Sequence, residues 1–142
     1  MNRDTLAFAT SSVVTTAALT DRERRLIITE LSRPGSEMQQ EIASGGTYDT
    51  MIALLYLDDE LLAWATVSQW SGHLALQAWT YEDHRRLGLG RACVCMLDAA
   101  GALPVIKPVA VFSESCRKLL KQINRTPILF LRGEDGTWTQ QP

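Results

Sequence analysis

Apolar residues run almost unbroken from Met51 to Leu57, stop at Asp58 and Asp59, and resume from Leu61 to Trp70. Two such runs joined by a short acidic turn predict a hairpin, with Thr47 to Leu57 as its first strand. Ser71 and Gly72 turn the chain into a third run, His73 to Thr80, which completes a three-stranded antiparallel meander. Upstream, Leu6 to Val14 reads as a first strand. Thr20 and Glu23 have the spacing of a capping box ahead of Arg24 to Leu31, where Leu26, Ile27 and Leu31 mark one helical face. Ser32 to Gly35 stop that helix, and Ser36 to Ile42 predicts a second short one before Gly45 and Gly46.

Downstream the period changes from two to nearly four. Ala92, Val94, Met96, Leu97, Ala99 and Ala100 make a helix apolar nearly all round, ended by Gly101. Val105 to Phe112 predicts the next strand, with Pro108 marking an edge or bulge. Ser113 or Ser115 caps a helix whose stripe is Cys116, Leu119, Leu120 and Ile123. Pro127 to Leu131 predicts another strand, and the turn at Glu134, Asp135 and Gly136 leads into Thr137 to Gln140 as a closing hairpin. No internal repeat interrupts this order.

The 142 residues, 46% hydrophobic and 21% charged, suit one domain spanning 1–142 around a single sizeable core. A net charge of −2 gives no global attraction to nucleic acid or to an anionic membrane, and no apolar run reaches the length of a membrane span. Three cysteines without a leader-like N-terminus predict a reducing, cytoplasmic setting and no disulfide. Cys93 and Cys95 are two apart on a predicted helix and point to nearly opposite sides, and no histidine pair has ligand spacing, so no metal is expected.

Between the meander and the apolar helix lies Arg85-Arg86-Leu87-Gly88-Leu89-Gly90-Arg91. Glycines at such a strand-to-helix junction let the backbone turn tightly and approach a ligand, while the first amides of the helix point outward as anion donors. A charge-assisted hydrogen bond is worth about 1.5–3 kcal/mol, and the helix dipole adds about 0.3–1 kcal/mol. Three or four amides thus reach the roughly 8 kcal/mol of micromolar affinity before association costs. Taken alone, a G-x-G more often marks a solvated basic turn. The flanking order of elements separates the two readings.

Strand, R-x-x-G-x-G, helix, strand, helix, strand resembles the GNAT acetyltransferase superfamily, whose pyrophosphate-binding signature Q/R-x-x-G-x-G/A is matched by Arg85, Gly88 and Gly90. The resemblance runs from the helix after Thr20 to about Leu131. It implies an α+β fold: a mixed, mostly antiparallel six- to seven-stranded sheet with helices on both faces, splayed between strands 4 and 5. It implies acetyl-CoA as co-substrate, no metal, and an amine-bearing acceptor, either a small amine or a protein or peptide amino group. A homodimer is compatible with it. Backbone groups at Ala78, Trp79 and Thr80 would align the pantetheine arm and thioester. Arg85 belongs to the same signature, and Arg86, Leu87, Gly88, Leu89, Gly90 and Arg91 would donate N–H groups to the pyrophosphate.

The chain departs from the family pattern in the second half of the site. Aligning Ser113, Cys116 and Leu119 with the usual N-x-x-A-x-x-L-Y helix puts Leu120 where a tyrosine general acid is expected, and no glutamate lies within His73–Thr80 or Val105–Phe112. His73 and Glu82 are the candidate proton acceptors: one carries an imidazole, the other a carboxylate just before the glycine turn. Asp83 and His84 are neighbours of the same kind, and all four also read as ordinary solvated side chains. Cys116 reads as a core thiol rather than a nucleophile. Trp64, Trp70 and Trp79 can line a pocket or the core, and Glu37 and Glu41 can draw a cationic amine or face solvent. A dinucleotide-binding oxidoreductase fits poorly, because Cys93 occupies the third glycine position. The competing function is a catalytically impaired GNAT-fold protein acting as a CoA-binding or protein-interaction module.

Overall fold

A computed structural model describes residues 9–25, 51–58, 60–80 and 88–142. Among these residues seven strands form one sheet in chain order: β1 (Thr10–Thr15), β2 (Met51–Leu57), β3 (Glu60–Trp70), β4 (His73–Thr80), β5 (Val109–Val111), β6 (Pro127–Arg132) and β7 (Trp138–Gln140). β1 to β4 pair antiparallel, β4, β5 and β6 run parallel, and β7 returns antiparallel to β6. Parallel neighbours require crossovers, here supplied by helix α1 (Leu89–Ala99) and helix α2 (Glu114–Gln122). The mixed, mostly antiparallel sheet is the one the sequence implied.

Side-chain alternation divides the sheet into two faces. On one, Ala63, Ala65 and Val67 of β3 and Leu76 of β4 pack with Cys93, Val94 and Leu97 of α1 and Leu120 of α2. On the other, Ile52 and Leu54 of β2 and Trp64 of β3 pack with Leu19. Tyr56 pairs with Leu61 while Leu55 pairs with Ala63, so Leu62 is an extra residue in β3. This bulge lets the adjacent Leu62 and Ala63 enter the same core, while Leu61 joins the opposite one.

Local signals explain most element ends. Thr20 Oγ1 accepts from the Glu23 amide at 3.1 Å and Glu23 Oε1 accepts from the Thr20 amide at 3.0 Å, the reciprocal capping box expected. Residues 21–25 are helical, on the sheet face opposite α1 and α2. The other oxygen of the buried Glu23 carboxylate, Oε2, accepts from Ser12 Oγ at 3.0 Å, which ties this helical turn to β1. The rest of the Arg24–Leu31 helix, the Ser36–Ile42 helix, Glu37 and Glu41 lie outside the described residues. β1 begins at Thr10, and the Leu6 to Phe8 part of the expected strand also lies outside them.

The strand expected over Val105–Phe112 is shorter, only Val109–Val111. Val105 and Ile106 are 65% and 91% exposed, so their apolar character does not reflect a strand. Pro108 has no N–H to give a ladder, and pairing begins directly after it. At the next helix Ser113 is the cap, its Oγ accepting from the Cys116 amide at 3.2 Å. An Arg125–Asp98 ion pair at 2.8 Å joins the segment after α2 to the C-terminal turn of α1.

Cys93 lies wholly in the core, and burial pushes its thiol up to about 12, because an apolar surrounding penalises the thiolate. The folded group stays protonated while the unfolded one ionises above about 9, so stability is full below pH 9 and declines as pH rises toward 12. At pH 8 we expect iodoacetamide to modify Cys93 at least about tenfold more slowly than the half-buried Cys95 and Cys116. Equal rates, read by peptide mass spectrometry, would contradict this placement.

Candidate functional site

The centre of the sheet is forked. β3 and β4 stay paired along all eight rungs, from Trp70–His73 to Ala63–Thr80. β4 and β5 share two rungs, Leu74–Val109 and Ala75–Ala110. The β4–β5 ladder ends there, and β4 runs on to Thr80. Backbone groups of Ala78, Trp79 and Thr80 therefore border the opening, as the resemblance implied for a splay between strands 4 and 5.

The start of α1 lies against the tip of this fork. Gly88 is its N-cap, with φ 74° and ψ 19°, and no side chain caps the helix. Gly88 O accepts from the Ala92 amide at 3.0 Å, so the first intrahelical bond leaves the preceding amides of Leu89, Gly90 and Arg91 as the orphan donors of a helix start. A Cβ on Gly88 would meet no atom within 4 Å, which leaves open space over the cap. Gly90 differs: a Cβ there would lie 3.0 Å from Thr80 Oγ1, so its absence lets the first helical turn press on the end of β4. Gly90 and Leu89 sit inside the helix rather than in the turn before it. The Arg91 guanidinium is turned sideways, its Nη1 donating to Gln122 Oε1 of α2 at 2.9 Å, while its amide belongs to the helix start.

Arg85, Arg86, Leu87 and Glu82 lie outside the described residues, as do Asp83 and His84. His73 opens β4 at the end away from Gly88, opposite Trp70, with its ring 5.7 Å from Phe130. There Trp70, Phe112, Phe130 and Trp138 pack mostly edge to face, with Trp70 5.0 Å from both Phe112 and Phe130. Leu120, aligned with the family's tyrosine, is 0% exposed and belongs to the core shared with α1. Cys116 packs on the edge of that core.

Two polar residues near the fork escaped sequence reasoning. Thr66 is fully buried in β3, and its register partner on β4 is Gln77. Their pairing was legible, because a two-residue turn at Ser71–Gly72 fixes which residues of the two strands face each other. Both were overlooked as isolated polar positions in apolar runs.

Among the described residues no group of three or more His, Cys, Asp or Glu can hold a metal ion, and no helix is long and apolar enough to cross a membrane. No family model matches the sequence, and no curated protein matches it. Solved structures do match. An acyl-CoA N-acyltransferase from Pseudomonas aeruginosa is similar with a TM-score of 0.63 and 17% identity, over 93% of this chain and 96% of that one. Escherichia coli ElaA follows with a TM-score of 0.59 and 15% identity, over 80% of this chain and 84% of that one. At this identity the likeness carries architecture alone. The mixed sheet with its two crossover helices is the GNAT-like architecture that the resemblance implied, and the likeness to the Pseudomonas structure supports that fold.

Proposed function

We propose that this chain is an acetyl-CoA-dependent N-acetyltransferase that moves the acyl group of the thioester to an amine acceptor, a small amine or a protein or peptide amino group. The observation that supports it most is the uncapped first turn of α1 seated against Thr80 at the open end of the fork. The residues present fit the co-substrate: open space over Gly88 suits a diphosphate, and the stretch of β4 past its last rung to β5, at Ala78 and Trp79, suits an extended amide-bearing arm. The amides from Arg86 to Arg91 hold the diphosphate, and the Arg85 and Arg86 side chains add positive potential around it.

Acetyl-CoA supplies an activated acyl group on sulfur, and the CoA thiol is released as the amide forms. A strand-edge amide at the fork steadies the oxyanion, and holding both reactants in the fork supplies proximity. The acceptor's ammonium must first lose a proton. We assign that role to Glu82, two residues beyond the end of β4, rather than to His73 at its other end. Leu120 offers no proton, so the leaving thiolate is protonated from solvent. The setting is the cytoplasm, in keeping with three free cysteines.

Calorimetry with acetyl-CoA, then a thiol-release assay over a panel of amines, tests this reading. We expect micromolar binding, turnover on at least one amine, and a loss of kcat of about 10²-fold or more in Glu82→Gln. Absence of acetyl-CoA binding would overturn it. The buried Leu120 supports a second reading, a CoA-binding or protein-interaction module without turnover, which binding without thiol release on any amine would favour.

A further inference from the structure

The sheet face opposite α1 and α2 carries a short line of polar atoms beside the apolar cluster of Leu19, Ile52, Leu54 and Leu61. Thr66 on β3 and Gln77 on β4 are register partners, and Trp64 lies two residues from Thr66 on the same side of β3. Trp64 and Thr66 are 2% and 0% exposed. Trp64 Nε1, Thr66 Oγ1 and Gln77 Oε1 are buried without a hydrogen-bond partner. Gln77 is two residues past Ala75, the last rung to β5, so the line crosses the root of the fork. Buried polar atoms are normally satisfied, and valine, leucine and phenylalanine would fill these volumes without the cost of desolvation.

We propose that Trp64, Thr66 and Gln77 recognise an uncharged hydrogen-bonding group of the acceptor, a hydroxyl or a carboxamide carried beside its reacting amine. This rests on the transferase reading above. The three atoms specify the group. The indole N–H only donates, Gln77 Oε1 only accepts, and the threonine hydroxyl does either. A carboxylate cannot donate to Gln77 Oε1, and an ammonium cannot accept from Trp64. A hydroxyl or carboxamide does both. The acceptor class is thus amino alcohols and amino amides, in contrast to amines that end in hydrocarbon.

The test compares matched acceptors, ethanolamine against n-propylamine and glycinamide against isobutylamine, with the parent protein and with Thr66→Val/Gln77→Leu. We expect the parent to favour the polar member of each pair by about tenfold or more in kcat/KM. The double variant should lose that preference, keep its acetyl-CoA Kd and melt no lower, since it removes unsatisfied polar atoms. Equal preference in both proteins, or a lower Tm with preference intact, would overturn the proposal. Should the parent bind acetyl-CoA and acetylate no amine, the transferase reading fails by itself, and saturation-transfer NMR with ethanolamine and glycinamide in the presence of CoA then decides. Contacts seen with the parent and lost in the variant support the polar subsite; none with the parent exclude it.

Discussion

Gly88→Val loses acetyl-CoA affinity by about a hundredfold or more, which calorimetry reads directly. Two separate effects add at this position. The residue stands at φ 74°, which a β-branched side chain adopts only with strain of about 1–3 kcal/mol, so the helix start shifts and its amides leave their common aim. The new side chain also enters the open space over the cap, where the diphosphate would lie. Losing two charge-assisted hydrogen bonds costs about 3–6 kcal/mol, more than enough for the expected drop. The strain is a fraction of the roughly 5–15 kcal/mol that stabilises a domain, so the variant still unfolds cooperatively. Gly88→Asn separates the causes, since asparagine tolerates a left-handed backbone yet still fills the space. It should bind weakly with an unchanged melting temperature. Arg86→Ala, which leaves the amides alone, should weaken binding less than tenfold. Parent-like affinity in Gly88→Val would remove the diphosphate from this turn.

Leu120→Ala should lower unfolding stability by about 2–5 kcal/mol, the cost of a cavity in a packed core, measured by urea denaturation. The side chain is entirely buried against the sheet with α1 on its flank, so the site has no route by which to collapse onto solvent. Leu120→Tyr, the substitution that would restore the family's general acid, meets the same wall. It should destabilise by about 1–3 kcal/mol through overpacking and leave the pH dependence of thiol release unchanged. Unchanged midpoints in both variants would place Leu120 outside the core and reopen this helix as a source of the acid.

How far the site could be read in advance depended on whether its signal was local. The meander was legible because Asp58 and the Ser71–Gly72 pair interrupt long apolar runs, and a two-residue turn fixes the register as well as the pairing. The capping box at Thr20 and Glu23 and the cap at Ser113 were legible for the same reason, each being settled within four residues. Gly88 and Gly90 marked the helix start, although only geometry distinguishes their tasks: one sets the chain direction and the other allows contact with Thr80. Val105 and Ile106 misled because a solvent-facing apolar pair looks like a strand when only hydropathy is counted. Leu120 could be aligned but not oriented, since a helical stripe does not say which of its members points deepest. Thr66 and Gln77 became meaningful only when β5 was seen to leave β4 at Ala75, which puts them between the last shared rung and the helix start.

Pairing from Met51 to Thr80 joins segments that follow one another directly, whereas joining Leu74 to Val109 must first close a long stretch of chain around α1. Loop-closure entropy therefore favours assembly of the meander before the parallel half docks. β4 belongs to both halves, and its fork is the seam between an early-forming unit and a late one. The same seam that opens a groove for ligand is thus where the nascent chain completes itself last.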